Sequence, residues 1–360
     1  MVAVRLKIDD GTVPRGPCDI YDAAGTPCVA AHSTVRALYG GYSGPLYQVR
    51  RASDNATRDI SVLLAGGVAN SSAQDTFCEN TDCIIYRIFD QSPRFNHLDL
   101  SPHRAGGGLP AGLDKGVNAR KLKLSVGGHS VYGAYFEKEM GYRNAKTVSA
   151  AVFCVFCRTS KKAAAQSGIA TGDDPESIYM VTGGRVFNHG CCFDYGNAEV
   201  NLSTCRGQPP RTGDCRGAME AINFSNTTHA GWTTGTGSGP WIMADLEDGI
   251  WAGNQTTVNE LNAPIDAEYV TAMLKGEANR WALKGGDAQS GRLKTLFEGD
   301  RPIGYTKMKK EGAIILGIGG DGGWNTIGIF FEGIMASGYA SDDTDDLVQD
   351  NIVAAGYGRS

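Results

Sequence analysis

Apolar residues recur at every second position through most of this chain, in short runs that stop at glycine. Lys121 to Glu137 is the plainest case. Two alternating segments flank Gly127-Gly128, which predicts a hairpin. A period of two puts one set of side chains on one face of a strand, so such runs need a facing apolar layer. Cys83–Phe89, Ser177–Val181, Tyr269–Leu274 and Arg280–Lys284 read as further strands. Gly312–Ile318 is a continuous apolar run of strand length bounded by glycines, which suits a buried strand, and Thr326–Met335 is expected to return alongside it. Helical periods are few. Ser33–Tyr39, closed by Gly40, predicts a short helix. Ser341–Ala355 predicts a longer one, with Ser341 as cap, acidic residues in its first turn, and Leu347, Val348, Ile352 and Ala355 as its apolar stripe. With 49 glycines in 360 residues, the pattern predicts an all-β sandwich carrying a few short peripheral helices.

Charge and cysteine usage narrow the function classes. The formal net charge is -5 and dispersed, with no basic stripe, so nucleic acid is not an expected partner. No apolar run approaches membrane-spanning length, so no membrane partner is expected either. The ten cysteines include the close pairs Cys18 with Cys28, Cys78 with Cys83, and Cys205 with Cys215. That spacing favours local disulfide loops in an oxidising compartment. Sequons at Asn55, Asn70, Asn201, Asn223, Asn226 and Asn254 offer glycosylation sites. Residues 1–15 form an atypical N-terminal extension without a signal-peptide pattern. Cys154 and Cys157 have the spacing of zinc ligands, but no second close pair completes a set of four, so neither metal nor cofactor is expected.

Three features carry possible chemistry. Cys191 and Cys192 are adjacent. Bonded to each other, they would close a small strained ring and offer a flat sulfur surface to the C–H face of a sugar. Two reduced buried thiols, or two cysteines bonded elsewhere, fit the sequence as well. In Pro240–Gly249, alternation puts Trp241, Met243, Asp245 and Glu247 on one strand face and Ile242, Ala244 and Leu246 on the core face. Two carboxylates on one face repel each other, weakly in bulk water and strongly in a cleft. Asp321, inside Gly317–Gly323, follows the buried strand, where glycines permit close approach of a ligand or simply a turn stabilised by aspartate. Glycoside hydrolysis needs two such carboxyls across one bond, and Glu247 and Asp321 are the candidates. Trp232, Trp241 and Trp251 can stack on sugar or pack in the core.

Ordered blocks along nearly the whole chain then resemble one family. They include Gly16–Tyr21, Thr26–Ser33, Ala73–Cys78, Gly141–Asn144, Cys191–Glu199, Gly239–Met243, Lys310–Asp321, Ser341–Thr344 and Asn351–Ala355. Together they resemble the catalytic domain of the glycoside hydrolase family 54 alpha-L-arabinofuranosidases. The resemblance implies a concanavalin-like β-sandwich and a secreted, exo-acting, retaining enzyme. Such an enzyme releases terminal arabinofuranose from arabinan, arabinoxylan and small arabinosides. It implies Glu247 as nucleophile and Asp321 as acid/base. Trp232, Asp245, Gly320 and a Cys191–Cys192 disulfide match sugar-binding positions, and Asp248 stands beside them where the family commonly has Asn. It also implies the disulfides Cys18–Cys28 and Cys78–Cys83.

On this reading residues 16–360 form one catalytic domain, acting as a monomer on plant cell-wall polysaccharides and oligosaccharides. Segments 147–166 and 202–216 read as insertions, the second bracketed by Cys205 and Cys215. The family's C-terminal arabinose-binding β-trefoil is expected to be absent. The alternatives are a non-catalytic, lectin-like sugar-binding sandwich, a structural wall glycoprotein with a decayed site, and a metal-dependent enzyme.

Overall fold

The computed structural model describes residues 15–102, 112–145, 167–200, 215–228, 233–253, 258–320 and 327–359. Among them the strands build two large antiparallel sheets, of eight and ten strands, and one short two-stranded parallel pair. The all-β expectation therefore holds. One sheet runs through Lys294–Asp300, Arg280–Asp287, Tyr269–Glu277, Glu176–Gly183, Gly328–Ser337, His129–Phe136 and Leu122–Val126, with Cys28–Ser33 also paired to Gly328–Ser337. The ten-stranded sheet has at its centre Trp241–Asp245, Glu220–Ser225, Asp194–Ala198, Ala313–Leu316 and Tyr142–Asn144. The predicted hairpin forms between Leu122–Val126 and His129–Phe136.

The main core fills the space between the sheets. Tyr195, Ile222, Phe224, Ile242, Ala244, Ile314 and Leu316 enter it from the ten-stranded sheet, and Tyr179, Met273, Leu274, Phe330 and Ile334 from the other. The layers are close enough that a side chain at Gly333 would strike the Tyr195 ring at 2.6 Å. Each such fully buried large side chain contributes roughly 1.5–3 kcal/mol relative to exposure. The opposite face of the ten-stranded sheet carries two smaller apolar groups. One is Cys192, Trp241, Met243, Ile250 and Ala252. The other is Ala198, Met219, Ala221, Ile315 and Ile318. That second face holds the candidate site.

Several local expectations need correction. Ser33–Tyr39 is not helical. Ser33 ends a strand, and its Oγ accepts the Val35 and Arg36 N–H groups, as a helix cap would. The following donors are taken by distant acceptors: Ala37 N–H by Gly67 O and Leu38 N–H by Gln91 Oε1. Arg36 is drawn inward to a buried Glu332 at 2.6 Å. The strand Gly328–Ser337 does not lie beside Ala313–Leu316, because the two belong to opposite sheets. Helices Pro17–Ala23 and Ser71–Phe77 were not anticipated. The first opens with Pro17 and with Asp19 accepting the Gly16 N–H, the second with Asn70 accepting from Ala73 N–H.

The C-terminal helix forms as Asp342–Ala355 with Ser341 as its cap. Val348 and Ile352 are buried, but Leu347 is 50% exposed and leaves the expected stripe. Asp345 faces inward instead and pairs with the buried Lys275 and Lys284 at 2.7 and 2.8 Å.

Cys18–Cys28 and Cys78–Cys83 are disulfides as expected. Cys215 is also in a disulfide, while Cys205, Cys154 and Cys157 lie outside the described residues, as do segment 147–166 and nearly all of 202–216. The sequon at Asn223 is not a glycosylation site, because Asn223 is fully buried and its side chain donates to Asp194 at 2.6 Å. No helix among the described residues is long and apolar enough to cross a membrane.

Candidate active site

Strand Trp241–Asp245 supplies one wall, and alternation assigns its faces as expected. Ile242, Ala244 and Leu246 enter the main core, while Trp241 and Met243 pack with Cys192 on the other side. The Trp241 indole N–H is fixed by donating to Thr236 O at 2.7 Å. The alternation stops at Asp245. Glu247 is not on the strand. It begins a tight turn in which Glu247 and Asp248 both take left-handed φ angles, 61° and 57°. Side-chain-bearing residues adopt such angles rarely, and only where the surroundings hold them. Here Asp245 Oδ1 accepts the Glu247 N–H at 3.0 Å, Leu246 N–H donates to Gly249 O at 3.1 Å, and Tyr305 Oη donates to Glu247 O at 3.0 Å. The turn thus aims a half-buried Glu247, and Asp248 is exposed beside it.

Cys191 and Cys192 are bonded to each other. Cys192 is buried and Cys191 exposed. Their sulfurs lie 4.0 and 3.4 Å from Asp245 Oδ2, so the disulfide and Glu247 flank the same carboxyl. Asp245 and the two sulfurs sit close enough to suggest a metal trio. Sulfurs joined to each other are not thiolates, however, and thiolate is the form in which cysteine binds metal.

The ten-stranded sheet adds groups that sequence reading did not single out. Asp194 is paired in register with Asn223 and fully buried. Burial, and then the Asp245 charge, push its carboxyl well above the usual carboxylate range. Glu199, just past the end of strand Asp194–Ala198, is 2% exposed. Burial pushes Asp245 up to about 7 despite the N–H of Glu247, and Glu199 adds to the push. Burial pushes Glu247 up to about 10, reinforced by the Glu199 carboxyl hydrogen-bonded to it and by Asp245 and Asp248.

Arg143 brings a buried positive charge to this face. Its Nη1 donates to Gly320 O at 2.7 Å and its Nη2 to Glu199 O. Burial works against its charge, and Glu199, Glu311, Asp114 and Glu247 support it. Gly320 is bare where it meets Glu199 Oε2 and Met219 Sδ; a side chain there would collide with both. The structure therefore brings together Glu247, Asp245, Cys191, Cys192 and Gly320. Asp321 and Trp232 lie outside the described residues. A separate cleft of about 630 Å³, lined by Tyr39, Tyr42, Phe89, Phe95 and His97, holds none of these carboxyls.

Comparison with known proteins shows the family of the chain. Residues 17–358 match the family described as alpha-L-arabinofuranosidase B, catalytic. The chain is 49% identical over 358 residues to a probable alpha-L-arabinofuranosidase B of Aspergillus fumigatus, an alignment covering 99% of this chain and 65% of that protein. It is 46% identical over 359 residues to alpha-L-arabinofuranosidase B of Aspergillus oryzae, again 99% and 65%. A solved family 54 a-l-arabinofuranosidase soaked with a cyclic sulfate inhibitor superposes with a TM-score of 0.84 at 46% identity, covering 96% of this chain and 66% of that one. An arabinofuranosidase complexed with arabinofuranosyl-alpha-1,2-xylobiose superposes with a TM-score of 0.84 at 45% identity, with the same coverage. The chain spans 65% of the length of the curated relatives described above.

Proposed function

The chain belongs to the catalytic family of alpha-L-arabinofuranosidase B, and from that premise we propose that it is an exo-acting, retaining alpha-L-arabinofuranosidase. Its substrates are terminal arabinofuranosyl groups of arabinan, arabinoxylan and small arabinosides. The single observation that carries this reading is the turn that presents Glu247 beside the disulfide and Asp245. A related structure holding arabinofuranosyl-xylobiose supports the substrate class. The disulfides Cys18–Cys28 and Cys78–Cys83 support work outside the cell.

The chemistry follows from two carboxyls across one glycosidic bond. Glu247, ionised, attacks the anomeric carbon as Asp321 gives its proton to the leaving oxygen. The bond from that carbon to the leaving oxygen breaks, and a glycosyl ester to Glu247 forms. Asp321, now a carboxylate, takes a proton from water. The resulting hydroxide attacks the same carbon and frees Glu247. Two inversions leave the configuration retained, and this geometry requires carboxyls roughly 5–5.5 Å apart. Asp245 anchors the turn through the Glu247 N–H, and the sulfur pair offers the sugar a flat apolar floor.

Hydrolysis of 4-nitrophenyl arabinofuranoside, followed by proton NMR of the first-formed sugar, tests the reading. Retained anomeric configuration is expected, with turnover abolished by Glu247→Ala. Inversion, or a Glu247→Ala protein with near-normal turnover, overturns it. Sugar binding without hydrolysis would instead favour the lectin-like sandwich.

A further inference from the structure

Three hydrogen bonds hold the left-handed turn at Glu247, and two of them are local. Asp245 and Gly249, which accept the first two, lie within two residues of Glu247. The third comes from Tyr305, 58 residues further along the chain, whose Oη donates to Glu247 O at 3.0 Å. Tyr305 is 2% exposed, and its ring packs edge-on against Trp251, with centroids 5.4 Å apart and planes at 73°. The fit leaves no slack. A side chain at Gly249 would sit 2.6 Å from Trp251 Nε1 and 3.1 Å from Tyr305 Oη.

Tyr305 is carried by segment 301–310, a strap that leaves Lys294–Asp300, the end strand of the eight-stranded sheet. Both ends of the strap are fixed to one carboxylate of the ten-stranded sheet. Arg301 Nη1 donates to Glu220 Oε1 at 2.7 Å, and Lys310 Nζ donates to Glu220 Oε2 at 2.9 Å. All three side chains are at most 1% exposed. Hydrogen bonds between charged groups are the stronger kind, and burial spares them from screening. Nearer Tyr305, Met308 N–H donates to Asp173 Oδ1 at 2.6 Å and Lys309 N–H to Gly217 O at 2.7 Å. Gly217 N–H in turn donates to Leu246 O at 2.7 Å, so the strap also reaches the residue before Glu247.

We propose that Tyr305 is a positioning residue for Glu247: strap 301–310, anchored at both ends on Glu220, holds the phenol on the Glu247 carbonyl and so keeps the attacking carboxyl aimed. The proposal rests on the reading of Glu247 as nucleophile. Its physical ground is the strain of the turn. Left-handed φ angles at Glu247 and Asp248 persist only where their surroundings over-determine them. Without the hydroxyl the Glu247 carbonyl loses this donor, the turn relaxes, and the side chain rotates with its backbone. A misplacement of about 1 Å can lower a rate a hundredfold.

Tyr305→Phe removes only the hydroxyl and keeps the ring on Trp251. The expected result is kcat lowered about tenfold, the scale of one carbonyl left without its donor, with KM nearly unchanged. The fall in kcat/KM should be the same for good and poor leaving groups, because both need an aimed nucleophile. Gly249→Ala pushes on the same phenol and should give the same pattern, so it carries the test if Tyr305→Phe does not fold. Tyr42→Phe is the control. It removes a tyrosine bond to a carbonyl, Pro45 O at 2.6 Å, in the separate cleft, and should leave kcat as it is. Equal losses in Tyr42→Phe and Tyr305→Phe overturn the proposal, as does a Tyr305→Phe loss confined to poor leaving groups. The turn is also read without substrate, by amide hydrogen exchange at Leu246 and Glu247. Exchange about tenfold faster there in Tyr305→Phe, and unchanged along Glu220–Ser225, supports the hold on the turn even in a protein that hydrolyses no arabinofuranoside, in which case only the functional reading fails. Unchanged exchange at both amides overturns the proposal whatever the activity.

Discussion

Asp245 accepts the backbone N–H of Glu247 at 3.0 Å through Oδ1. Its Oδ2 is 3.4 Å from Cys192 Sγ. One carboxyl therefore fixes the strained turn that aims Glu247 and also braces the sulfur floor. It lies where strand Trp241–Asp245 ends, so the regular sheet hands its geometry directly to an irregular turn.

Replacing Asp245 separates these roles. Asp245→Asn keeps an oxygen for the Glu247 N–H but removes the charge. Asp245→Ala removes both. The alanine variant should lose at least about tenfold more kcat/KM than the asparagine variant, since the hydrogen bond lost to a charged group is of the order of 1.5–3 kcal/mol. Steady-state kinetics on a small arabinoside, with melting temperatures to show that both variants are folded, measure the difference. Equal losses would mean that the charge, not the anchored turn, is what matters.

The disulfide invites a similar separation of binding from stability. Cys191 is exposed and Cys192 buried beside Trp241 and Met243. Changing both to serine replaces a flat apolar surface with two hydroxyls. The expected outcome is a KM raised severalfold with a melting temperature shifted by only a few degrees. An unchanged KM would remove the pair from the sugar site.

The buried acids make stability depend on pH in a definite direction. Burial pushes Asp245 and Glu176 up to about 7 and Glu247 up to about 10. A carboxyl with a raised folded-state pKa gives its full stability below the unfolded value near 4, and that stability is lost as pH rises through the folded value. His32 acts oppositely. Burial lowers it to about 4, so its contribution is complete above its unfolded value of 6.5 and lost as pH falls toward 4. Three carboxyls outweigh one imidazole, so the melting temperature should be higher at pH 5 than at pH 8. Asp245→Asn should shrink that difference. A melting temperature that rises from pH 5 to pH 8 would contradict the arrangement.

Much of this architecture can be read from the chain, and the failures are physical. The face division of 241–246 follows from alternation alone, and Ser341 caps its helix as its position suggests. Ser33–Tyr39 has helical composition, but its backbone donors are claimed by Ser33, Gly67 and Gln91, partners that no local pattern shows. Glu247 fails the alternation because Asp245 captures its N–H and bends the chain. Arg143 and Glu199 lie inside the resembling blocks Gly141–Asn144 and Cys191–Glu199, but nothing local marks these single charged residues near strand ends out from their neighbours. A faint signal existed for Asp194, which shares with Gly196 and Ala198 the face opposite the core-facing Tyr195. Their importance comes from the sheet, which sets the strand of Arg143 beside Ala313–Leu316 and that in turn beside Asp194–Ala198.

Arg143 offers the sharpest test of that sheet-built site. Its guanidinium spans two carbonyls, Gly320 O at 2.7 Å and Glu199 O, from one planar fork. Lysine carries the same charge but only a single ammonium point and cannot hold both in fixed geometry. Arg143→Lys should therefore keep the electrostatic support of the acidic cluster while releasing the backbone that leads into Asp321. The expected signature is kcat lowered about tenfold or more for substrates with poor leaving groups, which on the proposed mechanism need the proton of Asp321. Substrates with good leaving groups should be affected less, and KM little. Arg143→Met removes both donors, leaving the Gly320 and Glu199 carbonyls without them, and should cost several kcal/mol in urea unfolding, at about 1–3 kcal/mol for each buried group left unpaired. A lysine variant equally impaired on both substrate types would place the Arg143 effect on Glu247 rather than on Asp321.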